Sequence, residues 1–159
     1  MTKQKRLSWT KLLFYLAIPL AVGTVSGLLV REGFSHFEAR PQPALTPPPW
    51  VFPVVWTLLY SLMGVASYLV AVNPLLKRDP ALSIYFLQLL FNFFWPLLFF
   101  GLEAYLGALL WLAALFLLVL YTTVCFWRIN TAAGWLMLPY LIWLIFAAYL
   151  NFGVYLLNR

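Results

Sequence analysis

Residues 104–127, AYLGALLWLAALFLLVLYTTVCFW, form an apolar stretch without a single charged side chain. A helix needs about 20 such residues to cross a hydrocarbon core roughly 30 Å thick, so this stretch predicts a membrane-spanning helix. Four other intervals of the 159-residue chain are also free of Asp, Glu, Lys and Arg, namely 12–30, 41–76, 80–102 and 129–158. Each interval is long enough for one span. The sequence therefore predicts an all-α, multi-pass membrane protein.

The composition excludes two other classes of protein. Apolar residues make up 65% of the chain and charged residues 9%, against about 45–50% and about 25% in soluble domains, so a water-soluble globular fold is excluded. The net charge is +6, but four of the ten bases, Lys3, Lys5, Arg6 and Lys11, lie near the N-terminus. That arrangement disfavours a nucleic-acid partner, which a basic folded face would bind. Cys125, the single cysteine, is expected to be a packing residue.

A run of prolines fixes the start of the second span. Residues 41–49 contain five prolines, which a helix interior does not tolerate, so the second span begins near Trp50. The first span is too long for a removable signal peptide and is expected to remain in the mature protein. The long connection at 31–49 is predicted to be a lid-like loop. We predict one transmembrane domain over residues 1–159, with spans near 10–30, 50–72, 81–101, 104–127 and 134–157.

The distribution of Lys and Arg predicts the orientation in the membrane. With five spans, the N-terminus shares a side with the connections at 73–80 and 128–133, and that side carries seven bases against three on the other. The positive-inside rule then places the N-terminus in the cytoplasm and the C-terminus outside. The short polar ends and this asymmetry favour a bacterial cell membrane.

The middle of each predicted span lacks Asp, Glu, Lys, Arg and His. Ion-coupled transport, proton pumping and voltage sensing need such groups, so these functions are disfavoured. No group of His, Cys, Asp or Glu has metal-ligand spacing, and a single histidine, His36, leaves no Ser-His-Asp triad. Five spans without repeated halves also disfavour an aqueous channel. We therefore predict no metal site and no conventional acid–base active site.

Aromatic and polar side chains recur on one face of three spans. Trp56, Tyr60 and Gly64 follow at a spacing of four residues, which keeps them on one face of the second span. Amides avoid hydrocarbon and therefore mark faces that turn into the bundle. Tryptophans near the span ends, Trp9, Trp50 and Trp127, are more typical of interfacial anchors. The inward faces of the third and fifth spans carry Gln88, Asn92, Trp95 and Phe99, and Trp135, Pro139, Trp143, Ala147 and Asn151.

Two interpretations of these faces remain open. In the first, small residues allow close helix approach and the amides join helices to one another. In the second, the faces surround a cavity with aromatic walls and a few polar groups, which is the usual composition of a small-molecule site. The second is favoured because several indoles would converge around small residues.

Three blocks of sequence carry a resemblance to a known family: residues 47–64 (PPPWVFPVVWTLLYSLMG), 88–101 (QLLFNFFWPLLFFG) and 139–151 (PYLIWLIFAAYLN). In this order they resemble the translocator protein family, the tryptophan-rich sensory proteins also called peripheral-type benzodiazepine receptors. The resemblance implies a five-helix bundle, usually a homodimer, that binds tetrapyrroles such as protoporphyrin IX or haem, and in many members sterols or synthetic drug-like compounds. It also implies a binding site, closed by the 31–49 loop, that consists of Trp56, Tyr60, Asn92, Trp95, Trp143, Ala147 and Leu150.

The loop departs from the family pattern. The family commonly has Trp-Tyr where this chain has His36-Phe37, and a further tryptophan where it has Leu45. His36 could supply an axial contact to haem iron, and the alternative is that it is solvated surface.

The C-terminal end departs from the sterol-recognition pattern of animal members. That pattern expects tyrosine and arginine at the positions of Phe152 and Leu156. A shifted frame of Leu150, Tyr155 and Arg159 satisfies the loose sterol pattern, which is weak on its own. A sterol is therefore not favoured as the natural ligand.

Three functions follow from the sequence. The first is a porphyrin-binding protein that carries or senses its ligand, without a resident cofactor. The second is a light-dependent porphyrin-degrading enzyme, as the family resemblance implies, in which Trp56 and Trp143 would act through indole radicals. The third is a sterol-binding, lipid-binding or scaffolding protein. Small residues of the first and fourth spans would form a homodimer interface in any of these: Gly23, Ser26, Gly27, Gly107, Ala108, Ala113 and Ala114.

Asn92 is the residue on which the physical argument and the resemblance coincide. Pro96 lacks the N–H that would bond the carbonyl of Asn92, and a freed carbonyl in hydrocarbon must find another donor. We predict that the Asn92 side chain turns into the cavity, where it is available to a ligand or to a neighbouring helix. We also predict that the third span bends at Pro96, which widens the cavity there.

Overall fold

The computed structural model describes residues 8–74 and 78–158, and this part of the chain is helical without a strand. The π-helical turn Leu97–Gly101 continues one of the helices directly. Five helices of the described chain are long and apolar enough to cross a membrane. The predicted fold class, an all-α bundle of five membrane spans, is confirmed. The helices are α1 (Trp9–Leu29), α2 (Arg31–Glu38), α3 (Val51–Ala71), α4 (Arg78–Pro96), α5 (Tyr105–Ile129) and α6 (Thr131–Leu157).

The observed span limits differ from the predicted ones by at most three residues, with the largest differences at the starts of α4 and α6. Asn130 explains the early start of α6, because its side chain caps the helix by accepting a hydrogen bond from the backbone N–H of Ala133 at 3.1 Å. Asp79 and Pro80 lie in the first turn of α4, where a carboxylate is favourable and the missing N–H of proline has no intrahelical partner to lose.

The five spanning helices pack as a closed ring. In order around the ring, α1 contacts α3, α3 contacts α6, α6 contacts α5, α5 contacts α4, and α4 returns to α1. Gly64 makes the α1–α3 contact close, because a Cβ atom at this position would lie 2.8 Å from the Cα atom of Leu16. The ring order brings α3 and α6, two of the helices with aromatic inward faces, side by side.

The segment 31–49 differs from the prediction, because its first part is a helix rather than a loop. Residues 31–38 form α2, which packs on the π-helical turn and on the end of α1. Phe34 and Phe37 lie three residues apart and turn toward the bundle, where Phe37 is buried, while His36 and Glu38 are exposed. The prediction treated 31–49 as one loop because residues 41–49 contain five prolines, although the short amphipathic pattern of 31–38 precedes them.

The extended part of the segment is fastened to the bundle at several points. The Tyr149 hydroxyl donates to the carbonyl of Ala44 at 2.7 Å, and the Asn158 amide donates to the carbonyl of Pro41 at 3.1 Å. Arg40 forms a salt bridge with Glu103, and this hydrogen bond raises the pKa of Arg40 above its usual value. Residues 39–49 therefore form a strap across one end of the bundle.

Small residues of α1 serve packing inside the subunit. Gly23 lies against the Tyr60 ring of α3, Ser26 is buried, and Gly27 lines an internal cavity. Gly23 and Ser26 are therefore occupied within the chain, whereas Gly27 is exposed, and the use of these residues in a dimer interface stays a prediction.

Candidate functional site

A cavity of about 640 Å³ lies in the half of the bundle next to α2 and the strap. Its volume is within the roughly 300–1,000 Å³ of small-molecule sites. Residues of α1, α2, α3, α6 and the end of α4 with its π-helical turn form the walls, and among the described residues α5 contributes none. The lining is mostly apolar and aromatic, and includes Leu20, Phe34, Phe37, Pro49, Phe52, Pro53, Trp56, Tyr60, Trp95, Phe99, Phe100 and Trp143.

Six of the seven residues that the sequence assigns to the ligand site line this cavity. They come from three helices, and they meet because α3, α4 and α6 turn their inward faces to one space. The structure thus brings together Trp56, Tyr60, Trp95, Trp143, Ala147 and Leu150. Their part in ligand binding stays a prediction.

Trp56 and Trp143 form an aromatic corner in the cavity wall. Their ring centroids lie 6.4 Å apart and the ring planes are at 84°. Trp56 also stacks on Tyr60 with a centroid distance of 5.4 Å, and Phe52 approaches Trp143 edge-on at 6.3 Å. Rings arranged at right angles offer both a face and an edge to a flat aromatic ligand.

A second aromatic wall is built around Trp95. Its indole stacks on Phe99 with centroids 5.1 Å apart and planes at 19°. The Trp95 N–H donates to the side-chain oxygen of Asn151 at 3.4 Å, and the Asn151 amide in turn donates to the carbonyl of Tyr105 at 2.8 Å. Asn151, which the sequence places on the inner face of the last span, thus fixes the orientation of one indole and also lines the cavity.

Asn92 lies behind the cavity wall rather than turned into the cavity as predicted. Of its two predicted partners, a ligand or a neighbouring helix, it contacts neighbouring helices. It is almost fully buried at 1% exposure and does not line the cavity. Its side-chain oxygen accepts a hydrogen bond from the Tyr60 hydroxyl, and its amide donates to the Tyr140 hydroxyl. Asn92 therefore joins α4 to α3 and α6, and reaches the cavity only through the ring of Tyr60.

Pro96 ends the regular part of α4. The chain continues as a π-helical turn, and Pro96, Phe99 and Phe100 all line the cavity, so the irregularity of this helix lies where the sequence predicts a bend. One turn earlier, the Trp111 indole of α5 donates to the carbonyl of Phe91 at 2.8 Å. A neighbouring helix thus supplies a donor beside the carbonyl that Pro96 leaves without one.

The sequence predicted that the 31–49 segment closes the site, but it did not identify the lining residues of α2, and it missed the contribution of α1. Phe34, Phe37 and Arg31 of α2 form its end, and Gly27 and Thr24 of α1 form a side. The spacing of three between the two phenylalanines was the available signal for α2. For α1 there was no comparable signal, because its lining residues, such as Leu20, Gly23 and Gly27, include no aromatic or amide side chain.

Two further sequence hypotheses concern residues near the cavity. His36 is exposed and does not line it, so nothing in the wall assigns it an axial role. In the loose sterol pattern, Leu150 is buried in the cavity wall, and Arg159 lies outside the described residues. Within 8–74 and 78–158, no three His, Cys, Asp or Glu side chains are grouped so as to hold a metal ion.

Five apolar spanning helices around an aromatic cavity define a multi-pass integral membrane protein with an internal, mostly apolar cavity. The sequence profile of the TspO/MBR family matches residues 15–157, and the chain belongs to this family.

Curated relatives extend over nearly the whole chain. The Tryptophan-rich protein TspO of Archaeoglobus fulgidus is 37% identical over 149 residues, which cover 93% of this chain and 97% of that protein. The Tryptophan-rich sensory protein of Cereibacter sphaeroides is 38% identical over 152 residues, with 96% and 94% covered. The human Translocator protein is 35% identical over 152 residues, with 89% and 86% covered.

Proposed function

We propose that this protein binds a porphyrin-like tetrapyrrole in the cavity and carries or senses it in the membrane. The observation that carries the proposal is the aromatic corner of Trp56 and Trp143, whose ring centroids lie 6.4 Å apart. A flat conjugated ring gains dispersion and edge-to-face contacts from such a corner, and the apolar wall excludes water around it. Drug-like planar compounds would use the same surfaces.

The test compares two pairs of tryptophans. The Trp56→Phe, Trp143→Phe double variant removes both indoles of the corner. The control is the Trp127→Phe, Trp135→Phe double variant, because these two tryptophans also contact each other, with centroids 4.8 Å apart, but do not line the cavity. Protoporphyrin IX is titrated in nonionic detergent and followed by its own absorbance. We expect saturable binding that the first double variant weakens at least tenfold and the second leaves unchanged. Equal affinity in both variants would contradict the proposal.

A second candidate function is light-dependent degradation of the bound porphyrin. The contact of Trp56 with Tyr60, stacked at 5.4 Å, favours it, because neighbouring aromatic rings can pass an electron without an acid or base group. Illuminated and dark incubations with protoporphyrin IX, analysed by mass spectrometry, test this candidate. A product that forms in light only when the intact corner is present would support catalysis, and equal loss with the Trp56→Phe, Trp143→Phe variant would indicate plain photobleaching.

The assembly and membrane placement are also proposals. A homodimer would use exposed small residues such as Gly27 of α1 and Gly107 and Ala113 of α5, since Gly23 and Ser26 are occupied within the chain. Crosslinking in native membranes tests the dimer, and exclusive recovery of monomer would contradict it.

A cytoplasmic N-terminus in a bacterial cell membrane follows from the positive-inside count. Five bases of that count lie outside the described residues, namely Lys3, Lys5, Arg6, Lys77 and Arg159. Reporter fusions at the two termini test the orientation.

A further inference from the structure

Arg31 places a positive charge in the wall of the cavity. It begins α2 and is exposed. Within the described residues it has no salt bridge, whereas Arg40 pairs with Glu103 and Arg78 pairs with Asp79. The wall described by the structure contains no acidic residue. The cavity is thus apolar in its interior and carries an uncompensated cation at one edge.

The cavity opens between α1 and α3, on the side where Arg31 lies. Most of its exposed lining residues are on these two helices, with Thr24, Gly27 and Leu28 on α1 and Pro53 and Thr57 on α3. The other two are Arg31 of α2 and Pro49 of the strap. Arg31 follows Leu28 by three residues, just beyond the end of α1 at Leu29. The charge therefore lies at the end of a membrane span, at the depth of the lipid headgroups, where water keeps a carboxylate ionised.

We propose that the cavity selects ligands that carry a carboxylate, with the apolar ring system inside and the carboxylate paired with Arg31. A guanidinium matches a carboxylate with two parallel N–H···O bonds, so this pairing also orients the ring. The inference rests on the proposed function and adds to it the chemical class of the ligand. Acidic porphyrins have this form, because propionate groups lie at one edge of the macrocycle.

The experiment changes the charge of the ligand and of the protein independently. Protoporphyrin IX and its uncharged dimethyl ester are titrated against wild-type protein, Arg31→Gln and Arg31→Lys in nonionic detergent. Arg128→Gln is the matched control, because it removes one exposed charge at the end of α5 remote from the cavity. For each ligand, the ratio of variant to wild-type affinity is compared, so that the different partitioning of acid and ester into detergent cancels.

We expect Arg31→Gln to weaken the free acid roughly three- to tenfold and the ester hardly at all, since partly exposed charge-assisted bonds contribute on this scale. Arg31→Lys should retain part of the preference, and Arg128→Gln all of it. If both porphyrins bind and Arg31→Gln changes their affinities by the same factor, the Arg31 inference is overturned and the proposed function stands. If neither porphyrin binds the wild-type protein, the proposed function itself is wrong.

Discussion

Gly23 of α1 lies directly against the Tyr60 ring of α3, where a Cβ atom on Gly23 would stand 2.1 Å from Cε2 of that ring. The ring is held from its other sides as well, because it stacks on Trp56 and its hydroxyl donates to Asn92. Tyr60 thus belongs at the same time to the α1–α3 packing, to the cavity wall and to a buried hydrogen-bonded chain. A change at Gly23 therefore acts on the cavity both directly, since Gly23 lines it, and through the Tyr60 ring.

Gly23→Ala is expected to destabilise the protein and to weaken porphyrin binding. The added methyl group overlaps a ring that Trp56 and Asn92 hold in place, and overpacking of this kind costs about 1–3 kcal/mol. Thermal unfolding in detergent measures the stability and titration of protoporphyrin IX the affinity. Gly27→Ala on the same helix is the stability control, because its Cβ atom meets nothing within 4 Å. Equal melting temperatures for the two variants would show that the Gly23 contact is not tight.

Asn92 and Gln88 lie one turn apart on α4, and their substitution should have opposite effects on stability. Asn92→Leu leaves the hydroxyls of Tyr60 and Tyr140 without their partner, which costs about 1–3 kcal/mol. Both amide atoms of Gln88 are buried without a hydrogen-bond partner among the described residues. Gln88→Met keeps the shape and removes these polar atoms, so it should maintain or raise the melting temperature.

The Asn92→Leu and Gln88→Met variants also test whether Asn92 joins helices or contacts the ligand directly. Because Asn92 does not line the cavity, the folded Asn92→Leu protein should bind protoporphyrin IX with less than a threefold change in affinity. A tenfold loss with unchanged melting would show that Asn92 contacts the ligand directly. Destabilisation by Gln88→Met to the same extent as by Asn92→Leu would show that the Gln88 amide has a partner.

The spans and the main cavity residues were predictable because a single physical requirement decides each of them. Lipid demands long charge-free helices, and this requirement located all five spans within three residues. A spacing of three or four residues fixes the side of a helix, which was enough to place Trp56, Trp95 and Trp143 on the inward side.

The depth of a side chain and its partners were not predictable, since both depend on other helices. Asn92 is on the inward side as expected, but Tyr60 and Tyr140, distant in sequence, hold its amide behind the wall. The position of Arg31 in the cavity wall was not predictable for a related reason, because it depends on α2 packing over the end of the bundle.

The Arg40–Glu103 salt bridge should slow the release of ligand, because it fastens the strap next to the cavity end. Arg40→Gln and Glu103→Gln are each expected to speed the dissociation of protoporphyrin IX severalfold in stopped-flow measurements. The double variant should be no faster than either single one, since all three lack the same bond. Both side chains are more than a third exposed, at 39% and 34%, so high salt should reduce the difference from wild type. Additive effects of the two substitutions would show that they act separately.

Trp111→Phe should weaken the irregular end of α4 without touching the cavity. Phenylalanine can keep the stacking on Phe91, whose ring centroid lies 4.4 Å from that of Trp111, but it removes the N–H that donates to the Phe91 carbonyl. In this part of α4 Pro96 already leaves one carbonyl without its helical donor, and a polar group in a membrane bundle gains about 1 kcal/mol from a partner on another helix. We expect a melting temperature about 2–4 °C lower, the shift that corresponds to about 1 kcal/mol in a chain of this size. Trp135→Phe, at an indole that is 59% exposed, is the control and should leave melting unchanged. Identical melting temperatures of the Trp111→Phe and Trp135→Phe variants would show that the Phe91 carbonyl finds another donor or needs none.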